Sequence, residues 1–175
     1  MKKITLLLLG ILMAAPALFS QNYNQQIKDN ELDELILIGE CNRKGLKKNV
    51  EFKNYFRIYY ENHKPDYETI KKIMEKTKGK DFSIMIVLGT WCQDSRDWVP
   101  PFIRVMDEAG IKEKNIRMVG VDSKKYSYTV DLSEMDIERV PTFIFYDSEG
   151  EEVGRIVETP KKTLEKDIYK IVRKL

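Results

Sequence analysis

The feature that most constrains the fold is the apolar run of residues 82–88, Phe-Ser-Ile-Met-Ile-Val-Leu, which only Ser83 interrupts. A run of this length and composition predicts a strand at the centre of a sheet, covered on both faces. Residues 116–121 and 142–146 predict two further buried strands. With 42% hydrophobic and 33% charged residues in 175, the chain has the composition of one globular domain and not of a disordered or fibrous protein.

Residues typical of helix ends lie before, between and after these strands. Asp66 suits an N-cap and Gly79 a C-terminal stop, which predicts a helix between them. A second helical segment follows the strand at residues 82–88 and runs to about Ala109. Thr159 and Pro160 suit the N-cap and the first position of a last helix.

Residues 147–150, Asp-Ser-Glu-Gly, have the composition of a hairpin turn, so residues 151–157 are predicted to return as a strand. Strands that alternate with helices indicate an α/β fold, in which a central sheet is flanked by helices on both faces. The hairpin makes that sheet mixed, because its last strand runs antiparallel to its neighbour.

The segment before this core, residues 21–80, is predicted to be a mostly helical N-terminal extension. Residues 27–38 carry spaced apolar side chains, and the run at 35–38 could instead form a short strand. Residues 50–60 are rich in aromatic residues four positions apart, which suits one face of a helix.

The first twenty residues have the organisation of a secretory signal peptide. Lys2 and Lys3 precede an almost wholly apolar run at residues 4–19. A membrane anchor is the alternative, but a span needs about 20 apolar residues. This run is shorter, and Gly10 and Pro16 interrupt it. We therefore expect residues 1–20 to be cleaved.

Cleavage is expected within Ala15-Pro16-Ala17 or between Ser20 and Gln21. A lipoprotein would need a cysteine at that point, and the first cysteine is Cys41. The sequence thus predicts a periplasmic or secreted protein without a lipid anchor, in a compartment where disulfides persist.

Charge gives no reason to expect a nucleic acid or a membrane as partner. The formal net charge is +2, and removal of Lys2 and Lys3 leaves 28 positive and 28 negative side chains. A balanced chain lacks the basic excess that binds phosphate groups.

The strongest chemical motif is Gly89-Thr90-Trp91-Cys92-Gln93-Asp94-Ser95, directly after the central strand and before a predicted helix. A cysteine in this position lies at a helix N-terminus, where free N–H groups and the helix dipole favour an anion. The thiolate is the form of cysteine that attacks disulfides. Arg96 adds a positive charge nearby, which Asp94 partly opposes.

A second motif, Val140-Pro141-Thr142, opens a buried strand, where a proline must lie at the strand start because it cannot donate to the ladder. Together with Trp91-Cys92-Gln93-Asp94-Ser95 and with Pro100 five residues later, this motif resembles the thioredoxin superfamily. The resemblance covers residues 81–175, which we take as the thioredoxin-like domain.

The resemblance implies a thioredoxin-like fold and a site at which Cys92 is the nucleophile. It also implies that Pro141 is cis and faces Cys92. Trp91, Gln93 and Val140 would then help to bind an extended peptide or a thiol. The expected partners are protein or low-molecular-weight thiols and disulfides.

The chain departs from the thioredoxin pattern at the second cysteine, which is replaced by Ser95. A hydroxyl cannot resolve a mixed disulfide, so intramolecular cycling at this motif is excluded. We expect the Ser95 hydroxyl to donate a hydrogen bond that steadies the Cys92 thiolate. A buried acid and a lysine, common in thioredoxins, are replaced by Ile86 and Met118.

Three modes of action follow for Cys92. In the first, Cys92 acts as a monothiol, and an external thiol resolves its mixed disulfides. In the second, Cys41, 51 residues upstream, resolves the mixed disulfide, which requires the two Cα atoms to lie within about 7 Å. In the third, the fold is a non-catalytic binding module whose groove at Trp91 and Pro141 holds a peptide.

A peroxide-reducing enzyme is a further alternative, because Thr90 and Arg96 loosely match the residues which that chemistry needs. No metal or cofactor is expected. Two cysteines and one histidine, His63, exclude a standard structural zinc site. His63 itself lies in a polar break and is predicted to be a solvated loop residue.

Overall fold

A six-stranded mixed sheet forms the centre of the protein in the computed structural model, which describes residues 23–175. The predicted signal peptide, residues 1–20, lies outside the described residues. The strands in chain order are β1 (Gln25–Asp29), β2 (Glu34–Cys41), β3 (Ser83–Leu88), β4 (Ile116–Gly120), β5 (Thr142–Tyr146) and β6 (Glu152–Val157). Their order across the sheet is β1-β2-β4-β3-β5-β6. Among these described strands only β3 and β4 pair in parallel, so the predicted mixed sheet is confirmed.

Within residues 23–175, five α-helices pack on this sheet. They are α1 (Arg43–Lys48), α2 (Lys53–Asn62), α3 (Tyr67–Thr77), α4 (Gln93–Glu108) and α5 (Leu164–Val172). Helix α2 packs against α4, and α3 packs against α5. No helix within residues 23–175 combines the length and the apolar composition that a membrane crossing requires.

The two faces of β3 bury different clusters, which accounts for its unbroken apolar sequence. Ile84, Ile86 and Leu88 belong to a large cluster to which all five helices contribute. Met85 and Val87 face a smaller cluster on the opposite side. A strand covered on both faces has no polar positions, as the sequence predicted.

The predicted central sheet flanked by helices is confirmed, but the α-helices of the described residues lie on one face of it and not on both. The buried side chains of all five helices lie in the larger cluster. The opposite face is covered by the connection between β4 and β5, through Leu132, Met135 and Ile137, and by Trp91. A long connection with a few apolar residues therefore covers this face of the sheet in place of a second layer of helices.

The alternative of a short strand at residues 35–38 is the one that the structure adopts, as part of β2. β1 and β2 form an antiparallel hairpin in which Ile27 is opposite Ile36, and β2 also pairs with β4. The hairpin turn is fixed by Asp29, whose carboxylate accepts hydrogen bonds from the N–H groups of Glu31 and Leu32. Residues 21–80 thus contribute two strands to the sheet, besides helices α1 to α3.

The last helix begins later than the sequence predicted. Thr163 is its N-cap, with a side chain that accepts a hydrogen bond from the Lys166 N–H at 3.3 Å. Thr159 and Pro160 precede it in a bend. The N–H of Lys161 is bound there by the carboxylate of Asp167, so this segment turns before the helix starts.

His63 is not a solvated loop residue. Its Nε2 atom lies 2.9 Å from Oε1 of Glu165, whose side chain is only 4% exposed. Burial acts to raise the pKa of Glu165, but hydrogen bonds from His63 and from the Asp66 N–H outweigh it and lower the pKa. The partners are 102 residues apart, so local sequence did not reveal the pair.

Replacing Phe102 with alanine tests the packing between α4 and the sheet. The ring is fully buried and stacks on Phe143 with centroids 4.2 Å apart. Because the variant leaves a cavity, we expect the free energy of unfolding to fall by about 3–5 kcal/mol, measured by urea denaturation. Tyr126→Ala, at a side chain that is 69% exposed, is the control and should change stability by less than about 0.5 kcal/mol. Equal effects of the two variants would contradict the described core.

Candidate functional site

Cys92 lies at the N-terminus of α4, just beyond the end of β3. It is the N-cap residue, with an extended backbone, and its carbonyl accepts the first helical hydrogen bond from the Arg96 N–H at 3.1 Å. Its side chain makes no capping hydrogen bond and is half-buried. The thiol therefore stands beside the free N–H groups of a 16-residue helix, as the sequence predicted.

The Cys92 thiol faces the start of β5. Its Sγ atom donates a hydrogen bond to the carbonyl oxygen of Val140 at 3.1 Å, and the Val140–Pro141 peptide is cis. The carbonyl of Pro141 accepts from the N–H of Glu158 at 2.8 Å. Two segments 48 residues apart thus meet at the thiol.

Trp91 closes one side of the site. Its indole N–H donates to the carbonyl of Val121 at 2.9 Å, and its ring lies over Gly89. A Cβ atom at Gly89 would lie 2.6 Å from the indole Nε1, so only glycine permits this close approach. Trp91 is therefore held in place and cannot swing freely over the thiol.

Thr90 and Arg96 anchor the loop that carries Cys92. The fully buried Thr90 hydroxyl accepts a hydrogen bond from the Leu37 N–H at 3.1 Å. Arg96 donates from Nε to the Thr90 carbonyl at 2.9 Å and from Nη2 to Glu34 at 3.1 Å. Both side chains are engaged in binding the loop to β2, so neither is arranged to support a peroxide at Cys92.

Ser95 does not contact the thiol in the expected way. Its side chain is fully buried, and its Oγ atom accepts a hydrogen bond from the Gly89 N–H at 3.2 Å. Among the hydrogen bonds of the described residues, none joins this hydroxyl to Cys92. Ser95 thus fixes the turn between β3 and α4, and the expectation that it donates to the thiolate is wrong.

Gln93 is exposed next to the thiol, at the first position of α4. Its side-chain amide donates to Asp97 one turn later at 2.7 Å. The side chain therefore lies along the exposed surface of α4.

Cys41 and Cys92 belong to different parts of the fold. Cys41 pairs with Met118, which pairs with Ile86, so Cys41 lies two strand spacings, about 10 Å, from β3. It packs in the larger cluster, whereas Cys92 packs against the smaller cluster on the other face. A disulfide needs Cα atoms within about 7 Å, so the two thiols do not bridge in this conformation.

The environment of Cys41 also suppresses its reactivity. Its side chain is 2% exposed, and burial together with the neighbouring Glu40 carboxylate raises the pKa of Cys41 to about 12. Ile86 and Met118 beside it are buried too. The two positions at which the thioredoxin pattern has an acid and a lysine are therefore part of an apolar row in this chain.

Sequence reasoning missed the charged residues around Pro141. Arg139 and Glu158 form an ion pair at 2.7 Å. Partial burial raises the pKa of Asp94, with further contributions from the negative charges of Glu158 and Asp97. Arg139 directly precedes the Val140-Pro141 motif, which was a usable sequence signal, but nothing local connects Glu158 to Cys92.

Within residues 23–175, no three thiol, imidazole or carboxylate groups come together as a metal site requires. The site consists of one half-exposed thiol, a cis-proline strand start and an indole. Together with the mixed sheet, these features define a thioredoxin-like thiol protein.

Comparison with known families agrees with this class. The thioredoxin family model matches residues 45–170, which is more than half of the chain. The chain therefore belongs to the thioredoxin family. The match begins inside α1, so helices α2 and α3 lie within it.

Individual relatives are more distant. Over 68 residues the chain is 35% identical to the chloroplastic thioredoxin-like protein HCF164 of Arabidopsis thaliana. This alignment covers 38% of this chain and 24% of that protein. A protein of unknown function from Pseudomonas aeruginosa has a TM-score of 0.41 at 12% identity, covering 69% of this chain and 95% of its own. An HIV epitope-scaffold protein has a TM-score of 0.38 at 12% identity, over 71% and 98% of the two chains.

Alkylation distinguishes the two thiols. At pH 8 the native protein should take up one iodoacetamide group, on Cys92, because Cys41 is buried and protonated. Intact mass and peptide mapping measure this. The unfolded protein should take up two groups, and native Cys92→Ala should take up none. Labelling of Cys41 at the rate of Cys92 would contradict the described burial.

Proposed function

We propose that this protein carries out thiol–disulfide exchange with Cys92 as its only reacting thiol. The observation that carries the proposal is the position of Cys92 Sγ, at the N-terminus of α4 and 3.1 Å from the carbonyl oxygen before cis-Pro141. Membership in the thioredoxin family supports redox chemistry of this kind.

In the first step the Cys92 thiol loses its proton to solvent and breaks its hydrogen bond to Val140. The thiolate attacks one sulfur of a substrate disulfide, forming a mixed disulfide while the other sulfur leaves as a thiolate. The free N–H groups of α4 favour the negative charge on Cys92 before attack.

In the second step an external thiolate attacks the mixed disulfide. A new disulfide between the external sulfur and the retained substrate sulfur leaves, and Cys92 is released as a thiolate. When a second external thiolate attacks that disulfide, the second substrate sulfur leaves as a thiolate, and two electrons have passed from two external thiols to the original disulfide. An external thiol is needed because Ser95 carries no sulfur and because Cys41 lies buried on the other face of the sheet.

Trp91 and Pro141 border the thiol, and we propose that they position the substrate together with Val140 and Gln93. When the Cys92 proton leaves, the Val140 carbonyl loses its hydrogen-bond donor and becomes an acceptor for a substrate N–H. Gln93 adds an exposed amide beside this acceptor.

We propose a periplasmic or secreted location, on the strength of the signal-peptide composition of residues 1–20. In such a compartment disulfides persist, and low-molecular-weight thiols or partner proteins would supply the external thiol. We expect no membrane partner after the signal peptide is removed.

Replacing Cys92 with alanine tests the proposal. With 2-hydroxyethyl disulfide as substrate and glutathione as the external thiol, the exchange rate should fall to that of the reaction without protein. Cys41→Ser is the matched control and should keep wild-type exchange, because its thiol takes no part. Full exchange by Cys92→Ala would overturn the proposal. A wild-type protein with no exchange above the protein-free rate would also overturn it, and would favour a binding module that holds a partner at Trp91 and Pro141.

A further inference from the structure

Strand β2 reaches directly to the loop that carries Cys92. The N–H of Leu37 donates a hydrogen bond to the buried hydroxyl of Thr90, two residues before the thiol, at 3.1 Å. Strand β4 lies between β2 and β3 in the sheet, but it ends at Gly120, which pairs with Gly39. Beyond that pair the loop itself takes the place of β4 as the hydrogen-bond partner of β2.

Arg96 binds the same loop from the start of α4. Its Nε atom donates to the carbonyl of Thr90 at 2.9 Å, and its backbone N–H donates to the carbonyl of Cys92 at 3.1 Å. The Arg96 side chain is only 12% exposed. Arg96 therefore holds the backbone on both sides of Trp91, one of the two attachments being at the residue that carries the thiol.

Two elements from the N-terminal part of the chain fix the guanidinium group of Arg96. Its Nη2 atom binds Glu34, the first residue of β2, at 3.1 Å. The guanidinium also lies over the ring of Tyr55 in α2, 5.1 Å from the ring centroid. A planar group bound by a carboxylate and stacked on a ring has a defined orientation. The donor that binds the Thr90 carbonyl is thus held in place by β2 and α2.

We propose that Arg96 is a positioning residue, through which β2 and α2 hold the Cys92 thiol against Val140. The inference rests on the proposed exchange reaction, and it adds residues that influence the thiol without touching the substrate or taking part in the bond changes. Glu34 lies before residue 45, where the match to the thioredoxin family begins. Part of this support therefore comes from outside the residues that the family model matches.

Both contacts that favour the reduced form of Cys92 depend on its position. The thiol donates to the Val140 carbonyl at 3.1 Å, and the free N–H groups at the start of α4 favour the thiolate. In a mixed disulfide this sulfur has neither a proton nor a charge, so neither contact is kept. A loop that holds Cys92 less firmly therefore destabilises the reduced protein more than the mixed disulfide.

The equilibrium with glutathione measures this difference. Cys92 forms a bond to one sulfur of oxidised glutathione, the S–S bond breaks, and one glutathione leaves as a thiolate, which takes up the proton that Cys92 has lost to solvent. The full chain is equilibrated at pH 7 with fixed ratios of reduced and oxidised glutathione. Intact mass then gives the equilibrium constant for the single mixed disulfide.

Arg96→Met should raise this equilibrium constant by about three- to tenfold, the effect of losing one hydrogen bond in the reduced state. Glu34→Ala should raise it by a smaller factor. Adding Glu34→Ala to Arg96→Met should change nothing further, because Glu34 acts only through Arg96. Thermal unfolding shows whether each variant is folded, and if Arg96→Met is not, Glu34→Ala decides alone.

The sign of the Glu34→Ala effect separates position from charge. Loss of this carboxylate leaves the Arg96 guanidinium uncompensated, which by charge alone would favour the Cys92 thiolate and lower the constant. Arg96→Lys keeps the charge, but an ammonium group cannot bind Thr90 and Glu34 in a fixed fork, so it should raise the constant as well. A lower constant in Glu34→Ala, or the wild-type constant in Arg96→Lys, would overturn the positioning role.

Arg104→Met is the matched control, because Arg104 lies on the same helix and has partners of the same kind. It binds Glu108 at 2.6 Å and lies over the ring of Tyr60, 5.3 Å from its centroid. Among the hydrogen bonds and ion pairs of residues 23–175, none joins the Arg104 side chain to the Cys92 loop. The control should leave the equilibrium constant unchanged even where it lowers stability.

The outcomes distinguish the two proposals. If the wild type forms the mixed disulfide and the variants at Arg96 and Glu34 keep its equilibrium constant, as Arg104→Met should, the positioning role is wrong and the exchange function stands. If the wild type forms no mixed disulfide, the exchange function itself is wrong.

Discussion

The turn between β3 and α4 is the constraint on which the rest of the site depends. β3 is buried on both faces, so the chain must leave the sheet with every polar group of the turn satisfied. The Thr90 and Ser95 hydroxyls accept backbone N–H groups, and Arg96 binds the Thr90 carbonyl. These bonds hold Cys92 at the helix start, where its thiol meets the carbonyl of Val140.

The same turn explains what the serine of the motif does. Ser95 is fully buried and accepts a hydrogen bond from the Gly89 N–H, so its hydroxyl stabilises the turn. Ile86, Met118 and Cys41 lie side by side on three neighbouring strands and are all buried. This row contains no carboxylate or amine, and its one thiol has a raised pKa.

Local patterns were enough to predict the central strand, the position of Cys92 at a helix N-terminus and the strand start at Pro141, because each depends on neighbouring residues. The errors arose where distant residues decide. Asp167 delays the last helix beyond Thr159, and Glu165 binds His63 from 102 residues away. Pairing with β4 supports a strand at β2. Glu158 reaches the site only through the sheet and had no local signature.

The central claim is that one thiol reacts and that no second sulfur reaches it. Intact mass of the protein equilibrated with reduced and oxidised glutathione tests this claim most directly, with Ser95→Cys as the companion variant. The wild type should carry one glutathione and show no species that has lost two hydrogen atoms, whereas Ser95→Cys should lose two hydrogens as an internal disulfide forms. A wild-type protein that lost two hydrogens, or that carried no glutathione, would contradict the account.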